Sequence, residues 1–180
     1  MDTIQVSDKK FTKYIPEEEI LRQVRRVAAE INRDYKDKNP LFLCVLNGSF
    51  MFASDLLKEI TIPCNISFVK VASYQGTISS GKIREVIGIS QPLQGRDIIV
   101  VEDIIETGFT MEHMLESLGT RSPESIQICT LLFKPEKLQV KLDVKYAAMN
   151  ISDGFIIGYG LDYNNYGRNY RDIYQAVPED

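Results

Sequence analysis

Ile98-Ile99-Val100-Val101 is a run of four β-branched residues that stops at the acidic pair Glu102-Asp103. Apolar residues without alternation predict a strand covered on both faces, the kind that parallel sheets use. After a short segment, Glu106 to Thr110, apolar residues return at Met111, Met114, Leu115 and Leu118, the spacing of a helix with one buried side. Leu41 to Leu46 repeat the design: an unbroken apolar run, then Asn47-Gly48-Ser49, then Met51, Phe52, Leu56, Leu57 and Ile60 on one helical face. Strand, glycine-bearing loop and helix in succession predict an α/β fold built from parallel βαβ units, whose ligands sit at the carboxyl ends of the strands. Both loops then open at the same edge of the sheet.

The rest of the pattern fills in around these units. Pro16 precedes Glu17-Glu18-Glu19, and Ile20, Val24, Val27, Ala28 and Ile31 share one side, which predicts a helix with its acids at the positive end of its dipole and its stop between Asp34 and Asn39. Residues 1–12 show no clear period and are expected to pack late or to lie across another subunit. Asn65 to Val71 and Ser125 to Phe133 read as further strands, and Glu85 to Ser90 as a returning one. Between them, Ser73 to Lys82 is polar, glycine-bearing and too long for a tight turn, which suits a lid. Phe155 to Tyr163 reads as a strand ending in an acid-aromatic loop, and Tyr170, Arg171, Ile173 and Tyr174 complete a small terminal sheet. With no linker or low-complexity tract, residues 1–180 are expected to form one domain.

Composition narrows the partners. A formal charge of −4 gives no basic footprint for nucleic acid, and Arg22, Arg25 and Arg26 read as the solvated face of a helix. No apolar run approaches the roughly 20 residues of a membrane span and the N-terminus has no signal-peptide core, so a cytoplasmic protein without a membrane partner is expected. Cys44, Cys64 and Cys129 lie in or beside strand-like runs and read as small buried hydrophobes rather than disulfides or zinc ligands. His113, the one histidine, falls outside the apolar stripe of its helix and reads as a surface residue.

The chemistry gathers at the edge shared by the two loops. Thr107, Gly108 and Thr110 at a helix start offer N–H groups, hydroxyls and a positive dipole end to an anion, most simply a phosphate. Glu102 and Asp103 would repel it unless they hold another part of the same ligand, a vicinal diol or a divalent cation. A ribose phosphate carrying Mg²⁺ supplies all of these partners.

The stretch Val101-Glu102-Asp103-Ile104-Ile105-Glu106-Thr107-Gly108 resembles the phosphoribosyl-pyrophosphate (PRPP) signature of type I phosphoribosyltransferases, most closely in its hypoxanthine(-guanine) form. That resemblance implies a parallel β-sheet flanked by helices, with a core of about residues 16–150 and a small hood from the N-terminal segment and about 151–180. It implies transfer of the phosphoribosyl group of PRPP to N9 of hypoxanthine, and of guanine, giving IMP or GMP and pyrophosphate with Mg²⁺. Residue by residue, it implies that Glu102 and Asp103 hold the ribose and metal, that Glu106 is the general base, and that Thr107, Gly108, Phe109 and Thr110 bind the sugar phosphate. Asn47 and Gly48 match the pyrophosphate loop, commonly built on a non-proline cis peptide, and Ser73 and Tyr74 open the flexible catalytic loop. Lys134 matches the donor to the exocyclic oxygen of a 6-oxopurine, Ile156 the residue over the purine ring, Asp162 the contact to base edge and second metal, and Arg168 the pyrophosphate contact. Two positions depart from the family: Glu106 stands where Asp is usual, and Asn47 where a basic residue is usual. Xanthine-guanine transfer and a non-catalytic PRPP-binding regulator are the alternatives, and a homodimer or homotetramer is the family's usual assembly.

Overall fold

The computed structural model describes residues 3–73, 83–89 and 91–178, and in it the chain divides between two sheets. The larger has the order β5-β4-β3-β6-β7-β8, from Ile83–Ile87 (β5), Asn65–Ser73 (β4), Leu41–Leu46 (β3), Asp97–Ile105 (β6), Ser125–Phe133 (β7) and Tyr146–Asn150 (β8). Its strands are parallel except β5, which returns antiparallel to β4. The runs read as doubly covered strands are so: Leu41, Phe42, Leu43, Cys44, Ile98, Ile99, Val100 and Val101 are all fully buried.

Three helices supply the cover. Helix α1, Glu17–Asp34, begins after Pro16 with three glutamates in its first turn and Arg33 in its last. Its apolar side, with that of α2 (Phe50–Lys58), closes one face of the sheet over Phe42, Cys44, Ile99 and Val101. Helix α3, Phe109–Gly119, closes the other over Leu43, Ile98 and Val100. Arg26 does more than face solvent, because its guanidinium donates to the carbonyls of Ala147 and Ala148 and so pins α1 to the edge strand β8. All three cysteines are free thiols, and burial pushes Cys44 up to about 12, which removes it from redox chemistry at neutral pH.

The smaller sheet has the order β1-β2-β10-β9, from Thr3–Val6, Lys9–Ile15, Ile173–Ala176 and Ile156–Ile157. Residues 3–12, which show no clear period of their own, belong to an antiparallel hairpin whose second strand, β2, is hydrogen-bonded to β10. Val6, Phe11, Ile157 and Tyr174 make its own small core. Asp172 ties this sheet to α1 by accepting from the Glu17 N–H at 2.8 Å and pairing with Lys13 at 2.9 Å. Among the described residues no helix is long and apolar enough to cross a membrane.

Candidate active site

Strands β3, β6 and β7 all deliver their carboxyl ends to one edge, so the residues following each meet there. A cavity of about 240 Å³ opens at the end of β6, lined by Glu102, Glu106, Thr107, Gly108, Thr110 and Met111 among others. Glu102 lines this cavity, and Asp103, next along the strand, lies against Gly48 in the loop after β3. Burial, then the like charge of Asp103, push Glu102 well above the usual carboxylate range, and burial also raises Asp103. Two carboxyl groups held this close are an incomplete site: a cation lowers the cost of ionising both.

Gly108 caps α3 at φ +87°, a left-handed conformation that a glycine adopts without cost. A side chain there would meet Leu138, Val140 and Leu142 within 3 Å, so the segment after β7 presses directly on the loop. The Gln139 N–H donates to the Thr107 carbonyl at 3.0 Å, and the loop is braced from behind while Phe109 and Thr110 stay exposed at the open end of the helix. First-turn N–H groups there have no partner inside the helix and point at whatever anion arrives.

The loop after β3 contains a cis peptide between Leu46 and Asn47. Gly48 lies so near Asp103 that an added Cβ would stand 1.5 Å from Oδ2, and a Cβ on Gly160 would stand 2.0 Å from the Gly48 carbonyl oxygen. Arg168 donates to the Gly160 carbonyl at 2.8 Å and pairs with Asp162 at 2.6 Å. Asn47, Gly48, Asp103, Asp162 and Arg168 are therefore one connected cluster, beside the cavity and continuous with it.

Lys134 follows β7 and is 3 % exposed, unusual for an ammonium. It is ion-paired with Glu106 in a very short contact, donates to the Gly154 carbonyl at 2.9 Å and reaches Asp153 at 3.4 Å. His113 is half exposed and faces Glu116 at 3.6 Å, away from these groups.

Some expected positions read differently. Ile156 is buried in the core shared with Ile15 and Ile20, because alternation along β9 turns it inward, and the exposed side chain at this place is its neighbour Phe155. Phe155 packs edge-on to Tyr163 with ring centroids 5.4 Å apart and leaves 47 % of its surface open. Asp162, expected at a second metal rather than together with Glu102 and Asp103, is engaged by Arg168, and among the described residues no group of three such side chains could hold an ion. Ser73 ends β4, paired with Ile83, and Tyr74 lies outside the described residues. Phe155, Asp153 and Gly160 were missed in the sequence. Alternation out from buried Ile156 could have found Phe155, whereas nothing local marks the other two.

Known proteins resemble this arrangement along most of its length. The model for the phosphoribosyl transferase domain matches residues 13–164. The hypoxanthine-guanine phosphoribosyltransferase of Streptococcus pyogenes serotype M3 is 40 % identical over 158 residues, 87 % of this chain and 86 % of its own. A hypoxanthine-guanine phosphoribosyltransferase from Bacillus anthracis, solved with HEPES in the active site, superposes with a TM-score of 0.88 at 35 % identity, covering 92 % of this chain and 98 % of the other. A mutant hypoxanthine phosphoribosyltransferase from Trypanosoma cruzi, solved with the product IMP, gives 0.88 at 32 % identity over 97 % and 94 %. With the acidic pair, braced loop and buried lysine assembled at one sheet edge, this chain belongs to the type I phosphoribosyltransferase family, among its hypoxanthine-guanine members.

Proposed function

We propose that this chain is a purine-salvage transferase that moves the 5-phosphoribosyl group of PRPP onto N9 of hypoxanthine, and of guanine, releasing pyrophosphate. It acts as one phosphoribosyltransferase domain, with a core of about 16–150 and a hood from the N-terminal segment and about 151–180. It works in the cytoplasm as a homodimer or homotetramer, without nucleic acid or membrane. The observation that carries this reading is the meeting of Glu102 and Asp103 with the loop of Thr107 and Thr110 at a single sheet edge, with Lys134 anchored through Glu106 at the same place.

Each residue type suits its task. The loop N–H groups and hydroxyls of Thr107 to Thr110 hold the 5-phosphate, and Glu102 and Asp103 accept hydrogen bonds from the ribose hydroxyls, which fixes C1′ between leaving group and base. Arg168 and the Gly48 loop receive the pyrophosphate. The C1′–O bond breaks with its electron pair leaving on pyrophosphate, and the C1′–N9 bond forms with a pair from the purine. Glu106 takes the proton that the purine releases, through a site near N7. Lys134 donates to the 6-oxygen; an ammonium has no lone pair for adenine's amino group, so 6-oxopurines are favoured. Ser73 and Tyr74 open the loop that covers the reacting centre, and the exposed ring of Phe155 offers the purine an apolar face where Ile156 contributes backbone.

Magnesium fits the donor set. It is commonly held by one or two protein carboxylates with phosphate oxygens completing the shell, and the crowded, proton-retaining pair Glu102 and Asp103 provides such a half-site. Asp162 would be the carboxylate offered to a second ion. When bound, the ion neutralises charge that builds on the pyrophosphate.

The test is pyrophosphate release from PRPP and Mg²⁺ with hypoxanthine, guanine, xanthine or adenine supplied in turn. Turnover with hypoxanthine and guanine and none with adenine is expected. Preference for xanthine moves the assignment to xanthine-guanine transfer, and release with none of the bases overturns catalysis altogether.

A further inference from the structure

Lys134 is buried at 3 % exposure, and an ammonium in such a place needs an anion at all times. Its present anion is Glu106, the same group that accepts the purine's proton in the reaction above. During transfer the purine N–H bond breaks with its electron pair left on the ring, an O–H bond forms on Glu106, and that carboxyl becomes neutral. Lys134 loses its counter-charge at the moment it must hold the 6-oxygen.

The chain carries a second anion for it. Asp153 Oδ1 is 3.4 Å from the Lys134 nitrogen, near enough to close with a small side-chain rotation. Although 60 % exposed, this carboxylate is not free to drift: Lys137 holds its Oδ2 at 2.7 Å and the Gly154 N–H donates to its Oδ1 at 2.8 Å. The Lys137 contact, outweighing the opposing effect of burial, keeps Asp153 below the usual carboxylate range and so ionised at neutral pH. Lys134 also donates to the Gly154 carbonyl at 2.9 Å, so ammonium and aspartate are positioned by one turn. The charged groups facing Lys134 from the packed elements are thus Glu106 after β6 and Asp153 after β8, with Lys137 beyond Asp153 on the 3₁₀ turn Pro135–Lys137.

We propose that Asp153 is a positioning residue for base recognition: braced by Lys137, it is the anion to which Lys134 turns as Glu106 takes up the purine's proton. The proposal rests on the functional reading above.

Asp153→Asn tests it with hypoxanthine varied at saturating PRPP and Mg²⁺. The KM for hypoxanthine rises about three- to tenfold, the size of a solvent-screened hydrogen bond to a charge, while the KM for PRPP stays within about twofold. Asp153→Glu restores part of the loss, and Lys137→Met gives a smaller shift in the same direction, which also covers the case of a poorly folded Asp153 variant. In a Lys134→Met background, Asp153→Asn has no further effect. An unchanged KM for hypoxanthine, or an equal loss without Lys134, overturns the proposal. A parent enzyme that makes no IMP overturns the functional reading instead, so the two failures are told apart by the wild-type control.

Discussion

Replacing Gly160 by alanine places a methyl group 2.0 Å from the Gly48 carbonyl oxygen, at a residue whose φ is +101°. Real Cβ atoms essentially never stand closer than 3.0 Å, so the two loops must part by about 1 Å. The obstacle is backbone, which has no rotamer to escape into. A non-glycine residue at that φ costs about 1–3 kcal/mol, and displacing a packed backbone segment about 1–3 kcal/mol more. The sum, about 2–6 kcal/mol, lowers Tm by about 4–24 °C for a domain of this size. Function suffers selectively. The Gly160 carbonyl receives Arg168, and Gly48 lies against Asp103, so moving them apart disturbs the pyrophosphate side of the site and leaves Lys134 alone. In steady-state assays the KM for PRPP rises more than tenfold, as loss of a charged contact dictates, with the KM for hypoxanthine changed about threefold or less. A variant that melts with the parent and keeps its KM for PRPP refutes the coupling of the two loops.

Glu106→Gln removes the proton acceptor and lowers turnover by about 10²–10⁴-fold, whereas Glu106→Asp keeps a carboxylate of similar basicity and stays within about tenfold; full activity in the glutamine variant excludes the role. Glu102 retains its proton above the range usual for carboxylates because folding buries it beside Asp103, so the unliganded protein loses stability as pH rises from the unfolded value near 4.5 through the raised folded one. Glu102→Gln therefore melts above the parent at alkaline pH without Mg²⁺, and turns over about 10²–10³-fold more slowly; a lower Tm there contradicts the burial argument. Asp34 has the opposite sign: hydrogen bonds from Lys145 and then Tyr146 depress it below 3.8, giving stability that is present above that value and lost as pH falls through the folded one. Asp34→Asn lowers Tm at pH 7 by about 2–6 °C, with the gap closing in acid, as melting curves across pH will show.

Pattern made the large sheet legible because its central strands are buried on both faces and leave no room for polar residues. Leu41 to Leu46 and Ile98 to Val101 admit no other reading once a helical stripe follows each. The edges were less readable. Strand β8 carries Ala147 and Ala148 within five residues, too short and too small-sided to stand out after the charged segment 141–145. Residues 3–15 alternate weakly because one side of their hairpin faces water, and they are held in the sheet only because β2 pairs with β10, some 160 positions away. Long-range pairing of this kind has no local signal.

The site divides in the same way. Residues that act through the backbone path of one loop, Glu102 to Thr110, are adjacent in the chain and were readable as a unit. Those that act by meeting across loops were not: Gly160 matters because of Gly48, and Asp153 because of Lys134 and Lys137. Glu106 shows why position alone is insufficient. Counted along the chain it replaces a shorter acid and raises only a question of reach. In space that reach ends on Lys134, and base and base-recognising cation are one ion pair until substrate arrives. On the proposed function, a purine displaces Glu106 from the ammonium as it binds, which delivers the carboxylate toward the proton it is to take. On that reading the ion pair couples recognition to proton removal, and Asp153 is the anion proposed to hold the lysine while that exchange occurs.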